Sequence, residues 1–270
     1  MGTVGELLRQ WRQRRRLSQL DLAIAADVSA RHVSLVETGK SRPSAEMVLR
    51  LAEQLDVPLR DRNRLLLAAG FAPRYEERPL GGDALATARD AVGRVLRAHE
   101  PYPALVFDRR WNILMTNQAV DRFFAGVAPD LLRPPVNLVR LGLDPRGLAP
   151  LVVNLADVRS VFRSRVRRQL ATVPDAGLTA LYEELLAPGA PGTPSPGPET
   201  SIEAESDVVI PMIIRFDGRE LRLFSTITTF GTPMDITLDE VAIESYYPAD
   251  DETAAYFTGT VTEATGPGRA

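Results

Sequence analysis

The sequence predicts an α+β protein in which an all-helical N-terminal region is followed by an antiparallel sheet with flanking helices. Two observations favour this class. Apolar residues recur at helical spacing between residues 4 and 69, which is typical of short amphipathic helices. Runs rich in β-branched and aromatic residues follow beyond residue 100, and the Asp-Gly pair at 217–218 joins the two longest, which is a strong hairpin signal.

Five short helices are predicted within residues 1–70. The first carries apolar side chains at i, i+3, i+4 and i+7, namely Val4, Leu7, Leu8 and Trp11. Ser18, Ser29 and Ser44 are placed to cap the second, third and fourth helices through their side-chain oxygens. A fifth helix over residues 60–69 is expected to end at Gly70.

Residues 17–40 predict two of these helices crossing at a tight turn. One apolar face of the second helix is expected from Leu20, Ala23 and Ile24. The small side chains of residues 25–28 let the helices approach closely, and Gly39 ends the third helix. The third helix is expected to bury Val33, Leu35 and Val36 and to present an outward face of Ala30, Arg31, His32 and Ser34. This is a helix-turn-helix arrangement, whose outward face can enter a DNA major groove.

The rest of the chain alternates between helical and β-rich patterns. Residues 71–84, with two Pro and a Gly-Gly pair, indicate a linker, and the Pro-rich stretch 187–199 indicates a mobile loop. Helices are predicted at 85–99, from Asn117 to Phe124, and at 155–172, 178–187 and 250–258. Strands are predicted at 104–107, 111–115, 208–216, 220–229 and 240–247. The predicted domains are 1–70, a linker and connecting helix at 71–98, a sheet domain at 99–258 and a flexible tail at 259–270.

Composition argues against several function classes. The 270 residues include no Cys and two His, so disulfides, thiolate metal sites, a cysteine nucleophile and a histidine-rich metal centre are not expected. No nucleotide-binding, hydrolase or metalloprotease motif occurs, and enzyme activity is not expected. With no signal-peptide pattern and no apolar run long enough to span a bilayer, the sequence favours a cytoplasmic protein without a membrane partner.

Charge is distributed unevenly along the chain. Residues 1–70 contain 12 Lys and Arg against 8 Asp and Glu, whereas the remainder contains 20 against 27. A basic N-terminal region, residues 1–70, which we call the head, followed by an acidic remainder is typical of a protein that presents one end to nucleic acid. One further basic row lies opposite the apolar side of the 155–172 helix and is expected to be a solvated face rather than a second nucleic-acid surface: Arg159, Arg163, Arg167 and Arg168.

Three segments of the head carry a resemblance to known proteins: LSQLDLA, VSARHVSLVETGKSRPS and MVLRLAEQLDVP. They resemble the phage-repressor-like, or xenobiotic-response-element, family of DNA-binding domains. The resemblance implies that Gln19 binds a backbone phosphate. It also implies base-reading positions at Ser29, Ala30, Arg31 and Leu35. His32 and Ser34 lie next to these positions. Ala30 and Leu35 stand where relatives often carry Gln, so Arg31 is expected to read more of the DNA, through paired hydrogen bonds to guanine. Lys40 and Arg42, beyond the helix, are expected to touch phosphate.

Three later segments carry a second resemblance: HEPYPALVFDRRWNILMTNQA, NLVRLGLDPRGLAPLVVNLADV and RLFSTITTFGTPMDITLDEVAIESYYPADDET. They make residues 99–258 similar to the PAS-like ligand-binding domain of the MmyB-like transcription regulators. The resemblance implies a sensor domain that binds a small apolar ligand such as a fatty acid. Spacing and periodicity do not define that ligand.

Candidate ligand contacts are large apolar side chains near the predicted sheet and a few polar residues between apolar segments. The aromatic candidates are Trp111, Phe123, Phe124, Phe224 and Phe230. For each of them, lining a cavity and filling the core are equal alternatives. The polar candidates are Asn117, Arg140 and Thr226, of which Asn117 and Arg140 are placed to meet a ligand head group.

Together these patterns favour a bacterial DNA-binding transcription regulator, a repressor or autoregulator that needs no other cofactor, and the second resemblance implies that a small apolar ligand controls it. A homodimer on an inverted repeat of double-stranded DNA is expected, because one helix-turn-helix covers one half-site. In one alternative, the C-terminal domain only dimerises or binds a protein partner. In another, it is an enzyme with an autoregulatory DNA-binding head. A closed apolar cavity would favour the sensor, and an open cleft holding a nucleophile would favour the enzyme.

Overall fold

The computed structural model describes residues 2–190 and 211–259, which divide into two compact units. One unit comprises Met1–Ala86 together with Phe230–Glu240. The second comprises the described residues of 87–229 and those from Val241 to Gly259. We call them the helical unit and the sheet unit. The predicted α+β class, with an all-helical N-terminal region before an antiparallel sheet, is confirmed.

The helical unit opens with five helices: α1 (Val4–Arg14), α2 (Gln19–Ala25), α3 (Ala30–Glu37), α4 (Ala45–Gln54) and α5 (Leu59–Ala68). Ser18, Ser29 and Ser44 cap α2, α3 and α4, each accepting a hydrogen bond from the backbone N–H three residues later. Thr3, which is not among the predicted caps, caps α1 in the same way and forms a reciprocal box with Glu6. Pro58 precedes α5 and supplies no side-chain cap.

Apolar residues from all five helices form the core of this unit. Leu8, Leu22, Val36, Leu51 and Leu65 are almost completely buried. At Gly5 a Cβ atom would lie 2.3 Å from the Val36 carbonyl oxygen, so only glycine permits this approach of α1 to α3.

The predicted apolar face of α2 is only partly correct. Ala23 is buried, but Leu20 and Ile24 are 59 % and 71 % exposed. The buried stripe instead runs through Leu22, Ala23 and Ala26. In so short a helix, apolar residues at i and i+4 fit either side, and packing against α3 and α4 decides which side is buried.

The remaining helices are α6 (Ala86–Ala98), α7 (Gln118–Phe124), α8 (Leu138–Leu143), α9 (Leu155–Thr172), α10 (Ala176–Leu185), α11 (Ile236–Glu240) and α12 (Asp251–Thr258). The strands are β1 (Ala104–Phe107), β2 (Ile113–Thr116), β3 (Met212–Phe216), β4 (Arg219–Thr229) and β5 (Ala242–Pro248). They form one antiparallel sheet in the order β2-β1-β5-β4-β3. Asp217 and Gly218 join β3 to β4 with φ of 50° and 74°, as the Asp-Gly signal predicts. The predicted strand positions 208–210, most of the predicted loop at 187–199 and nearly all of the predicted tail lie outside the described residues.

One face of the sheet carries the core of its unit. The register pairs Leu105 with Glu244 and Glu244 with Ile227, so alternate residues of β1, β5 and β4 share this face. Apolar side chains from β1, α8, α9 and α10 pack into one cluster, among them Phe107, Leu138, Phe162 and Leu178. A second cluster joins β3 and β4 to α7 and α12, through Ile214, Leu221, Leu223, Phe123 and Phe257.

The arginine row of α9 is not a uniformly solvated face, contrary to the prediction. Arg159 is 5 % exposed and donates to the Leu185 carbonyl oxygen at 2.7 Å. Arg163 donates to the Leu186 carbonyl oxygen at the same distance. The last carbonyls of a helix lack intrahelical partners, and these two guanidinium groups satisfy two carbonyls at the end of α10. Arg167 and Arg168 are exposed, as predicted.

No helix among the described residues is long and apolar enough to cross a membrane. Within the same described ranges, no group of His, Cys, Asp or Glu residues could hold a metal ion.

Candidate DNA-binding face and ligand cavity

Helix α3 holds the candidate base-reading residues at the surface of the helical unit. Ser29 and Arg31 are exposed, and Ala30, His32, Ser34 and Leu35 are half-buried. The Ser29 hydroxyl accepts a hydrogen bond from the His32 backbone N–H at 3.1 Å, so its first role is to begin the helix. Val33 and Val36 lie on the opposite side, each 1 % exposed. The face of α3 that could enter a groove is therefore polar at its N-terminal end and centres on Arg31.

Lys40 and Arg42, the two residues expected to contact phosphate beyond α3, are exposed in the loop between α3 and α4. Gly39 precedes them with a φ of 71°, a left-handed conformation that favours glycine at the end of a helix. Two cations beside an exposed helix end match the pattern by which proteins anchor on DNA phosphates.

A buried ion pair fixes α3 against α1. Arg12 donates from Nε to Oε1 of Glu37 at 2.6 Å and from Nη2 to Oε2 at 2.8 Å. Its third contact is from Nη1 to the Leu17 carbonyl oxygen at 2.8 Å. Burial alone would raise the pKa of Glu37, but hydrogen bonds from Arg12 and Gln19 and the charge of Arg12 outweigh it and lower that pKa below its ordinary value.

Gln19, the residue expected to bind phosphate, belongs to this network. Its Nε2 donates to Oε2 of Glu37 at 2.8 Å, and the side chain is half-buried at the start of α2. The contact holds the amide in one orientation and links the N-terminus of α2 to the end of α3. A helix N-terminus suits an anion, because its first backbone N–H groups are unpaired and the helix dipole is positive there.

The sheet unit contains an apolar cavity between the core face of the sheet and α7, α8 and α9. Its volume is about 70 Å³, within a recess of about 700 Å³ that includes its open mouth. A single water needs about 10–15 Å³, so the cavity exceeds a packing defect. Its lining comprises Pro103, Leu105, Val120, Phe123, Phe124, Leu138, Gly142, Leu148, Leu151, Val152, Val158, Phe162, Met212, Ile214, Leu223 and Tyr246.

Tyr246 is the one lining residue whose side chain carries an oxygen or nitrogen. Burial raises the pKa of its hydroxyl well above the ordinary value, and the negative charge of Glu244 adds to the effect. The phenol is therefore neutral at any physiological pH and can both donate and accept a hydrogen bond. Such a lining offers water almost no hydrogen-bonding partners and suits a molecule that is mostly hydrocarbon.

Two of the eight predicted ligand contacts, Phe123 and Phe124, line this cavity. Phe224 and Thr226 lie on the opposite face of the sheet, because side chains alternate along a strand and the cavity is lined by Leu223. Phe224 stacks on Tyr247 with ring centres 5.3 Å apart, and Thr226 is exposed.

The other four predicted contacts also lie elsewhere. Trp111 is a core residue, stacked on Phe107 at 5.0 Å. Asn117 is buried and donates to the Tyr102 carbonyl oxygen at 2.7 Å. Arg140 pairs with Glu184 at 2.7 Å, and Phe230 belongs to the helical unit.

Sequence reasoning missed Tyr246 and most of the aliphatic lining. The available signal was the period of two along β4 and β5, in which Leu221 and Leu223 share one face of their strand and Tyr246 shares the corresponding face of its own. Phe224 is a candidate by its size, but it lies on the opposite face of β4 from Leu223.

A helix-turn-helix with an exposed polar face and a sheet unit with an apolar cavity are the parts of a ligand-responsive DNA-binding protein, and comparisons with known proteins agree with this class. A family model described as a helix-turn-helix domain matches residues 3–65, and one described as an MmyB-like transcription regulator ligand binding domain matches residues 88–258. The molecule is thus a transcription regulator with an N-terminal helix-turn-helix domain and a C-terminal ligand-binding domain. The second match spans more than half of the chain, and the chain belongs to the MmyB-like transcription regulators, as its sequence predicted.

No curated protein matches the chain. Among solved structures, it is similar to the clp gene regulator ClgR from Corynebacterium glutamicum, with 26 % identity over 36 % of this chain and 90 % of that one and a TM-score of 0.22. It is also similar to an RNA-binding light-oxygen-voltage receptor, with 12 % identity over 94 % of this chain and 62 % of that one and a TM-score of 0.26.

Proposed function

We propose that this regulator is a repressor or autoregulator that binds an operator through α3 and changes its DNA affinity when a small, fatty-acid-like molecule occupies the cavity of the sheet unit. The observation that carries the ligand proposal is the cavity itself, with apolar walls and one neutral hydroxyl, that of Tyr246. An alkyl chain with one polar end matches that lining. The preference for a fatty acid comes from the family resemblance.

The DNA side of the proposal rests on the exposed N-terminal half of α3 and the two cations beyond it. Arg31 projects from the first turn of the helix, where recognition helices contact base edges, and it has the donors that guanine O6 and N7 accept. Lys40 and Arg42 would bind phosphate and set the register on the duplex. We propose a homodimer on an inverted repeat, because two half-sites about 34–36 Å apart give the affinity that one domain lacks.

The test begins with selecting the operator from genomic fragments with the full chain. Operator affinity is then measured alone and with saturated fatty acids of increasing length. A ligand can act only by binding the DNA-competent and DNA-incompetent states unequally, and couplings of about 5–150-fold are typical. We expect one range of chain lengths to raise the melting temperature and to shift operator affinity by a factor of this order.

A matched pair of substitutions tests the cavity. Val158→Phe adds bulk to a lining residue. Val153→Phe adds the same bulk at a nearby position in the sequence whose side chain is exposed. Only Val158→Phe should remove the response to long chains while leaving ligand-free operator binding intact. If no chain length alters melting temperature or operator affinity, the ligand proposal fails and a C-terminal domain that only dimerises or binds a protein partner takes its place.

The oligomeric part is tested separately. Footprinting should show two protected half-sites on one face of the duplex, and ultracentrifugation should show a dimer. One protected half-site with a monomeric protein would contradict the dimer.

A further inference from the structure

The segment between β4 and β5, Phe230–Glu240, belongs to the helical unit, although both strands belong to the sheet unit. We call it the connecting segment. It leaves the end of β4 at Thr229, contributes the short helix α11 to the helical unit, and re-enters the sheet unit at Val241, just before β5. A DNA-binding unit built from the first 86 residues is thus completed by 11 residues from much later in the sequence.

The first anchor of this segment is a helix cap. Helix α5 begins after Pro58, which has no side-chain acceptor for the unpaired N–H groups of the first turn. Asp239 supplies it instead, since its Oδ2 accepts a hydrogen bond from the Leu59 backbone N–H at 3.0 Å. A carboxylate at this end of a helix is also favoured by the helix dipole.

The second anchor is a shared guanidinium group. Arg60, in the first turn of α5, donates from Nε and Nη2 to the two carboxylate oxygens of Glu240, at 2.7 and 2.9 Å. The same side chain donates from Nη1 to Glu77 at 2.7 Å, and its Nη2 also bonds Glu77. Hydrogen bonds from Glu240 and Glu77 raise the pKa of Arg60 further above its ordinary value, so its charge is permanent. The group is partly buried, and bidentate contacts of this kind hold a fixed geometry.

Backbone contacts complete the attachment. The Ile236 N–H donates to the Glu76 carbonyl oxygen at 2.9 Å, and the Thr237 hydroxyl donates to the Arg78 carbonyl oxygen at 2.6 Å. Ile236 and Asp235 are each 4 % exposed, so the segment has its own buried anchor points. By contrast, Met234 is 74 % exposed, and its side chain makes no polar contact with the described residues.

We propose that the connecting segment relays the state of the ligand cavity to the DNA-binding face. The two strands it joins both line the cavity, β4 through Leu223 and β5 through Tyr246. A shift of these strands moves both ends of the segment through the covalent chain, and the segment holds the N-terminus of α5. Helix α5 packs against α1, and α1 packs against α3. Contiguous packed elements of this kind can carry energetic coupling between sites. The inference rests on the proposed ligand control.

The experiment uses the full chain, its selected operator and tetradecanoate as the probe, with dodecanoate and hexadecanoate as alternatives. Asp239→Ala removes the cap of α5, and Glu240→Gln removes the charge that faces Arg60. In each variant the change in operator affinity on adding probe should fall below about twofold, from the roughly 5–150-fold typical of allosteric coupling. The rise in melting temperature caused by the probe should persist, because the cavity is untouched.

Three comparisons keep the outcome interpretable. Met234→Ala, on the exposed part of the same segment, should respond as the unmodified chain does. Asp239→Asn retains an acceptor oxygen for the Leu59 N–H and should recover most of the response if Asp239→Ala weakens folding. Hydrogen exchange at the Leu59 amide should accelerate in Asp239→Ala and slow again in Asp239→Asn.

A full probe response in both Asp239→Ala and Glu240→Gln would overturn the relay and leave the ligand proposal standing. If the unmodified chain binds no probe, the ligand proposal and the relay fall together. If it binds probe and responds, and the two variants bind probe without responding, the relay is supported.

Discussion

Arg12 of α1 and Glu37 at the end of α3 form a two-point ion pair with Nε–Oε1 and Nη2–Oε2 distances of 2.6 and 2.8 Å, and the Glu37 side chain is only 2 % exposed. The pair joins α3, the candidate recognition helix, to α1. Gln19 donates to the same carboxylate, so one buried group organises α1, α2 and α3 together. The geometry of the DNA-binding face therefore depends on a residue that does not belong to that face.

Glu37→Gln should destabilise the helical unit strongly. The substitution keeps the volume of the side chain but leaves the Arg12 guanidinium buried without its countercharge, and breaking a buried pair in this way costs about 3–5 kcal/mol. Denaturant unfolding followed by Trp11 fluorescence in a Trp111→Phe background measures the effect, because Trp11 is the single tryptophan of the helical unit. Glu53→Gln, on the exposed side of α4, is the matched control and should change stability by less than about 0.5 kcal/mol. An equal loss in both variants would show that the pair is not the cause.

The same carboxylate predicts how stability depends on pH. The pKa of Glu37 is lower in the folded protein than its ordinary value of 4.5. Its contribution is therefore fully present above pH 4.5 and is lost as the pH falls through the folded-state pKa. We expect the free energy of unfolding of the helical unit to decline below about pH 4.5. Asp21 also has a lowered pKa, so the chain with Glu37→Gln should keep a shallower decline. Identical pH profiles for the two proteins would remove Glu37 from this role.

Arg31 and Gln19 should differ in what they do to DNA binding. Arg31→Ala removes the donor pair that we propose contacts base edges, so it should weaken the operator by about 1–3 kcal/mol and relax base choice at one position. Gln19→Ala should weaken operator and unrelated DNA by similar factors, because phosphate contacts carry no sequence information. Affinity measured against a set of single-base operator variants at fixed salt separates the two effects. If Arg31→Ala leaves base preference unchanged, another residue of α3 reads the operator.

Gln19 needs one further measurement, since it also bonds Glu37. The unfolding free energy of Gln19→Ala shows how much of any loss in affinity comes from a displaced α3 rather than from a missing phosphate contact. A loss of DNA affinity with unchanged stability would support the phosphate role.

The parts of the fold that local chemistry determines could be predicted from the sequence. Ser18, Ser29 and Ser44 cap helices because each side chain reaches a backbone N–H three residues away, whatever the rest of the chain does. Helix α9 follows the predicted bounds 155–172, since its apolar residues keep one helical period through all five turns.

What the sequence could not show depends on contacts between distant residues. Asp239 caps a helix that begins 180 positions earlier, and no local pattern marks such a pairing. The position of Arg159 and Arg163 opposite the apolar stripe of α9 predicts a solvated face, yet the end of α10 offers both side chains carbonyl groups. The cavity posed a similar problem, since it is a space left by the packing of helices on a sheet and most of its walls are ordinary aliphatic residues.

Tyr246→Phe should change which ligands the cavity prefers. Tyr246 provides the one hydroxyl among the lining side chains, and removing it leaves walls of hydrocarbon except for the thioether of Met212. A neutral hydrogen bond in such a site contributes about 0.5–1.5 kcal/mol, so a long-chain alcohol should bind about 2–12-fold more weakly to the variant. An alkane of the same length should bind equally to both proteins or slightly better to the variant. Competition against a fluorescent alkyl probe measures both affinities on the same protein.

Leu148→Met, at another lining position, changes shape with little change in polarity and should weaken both ligands alike. If Tyr246→Phe also weakens both ligands alike, the hydroxyl does not contact the polar end, and that end instead lies at the open mouth of the recess.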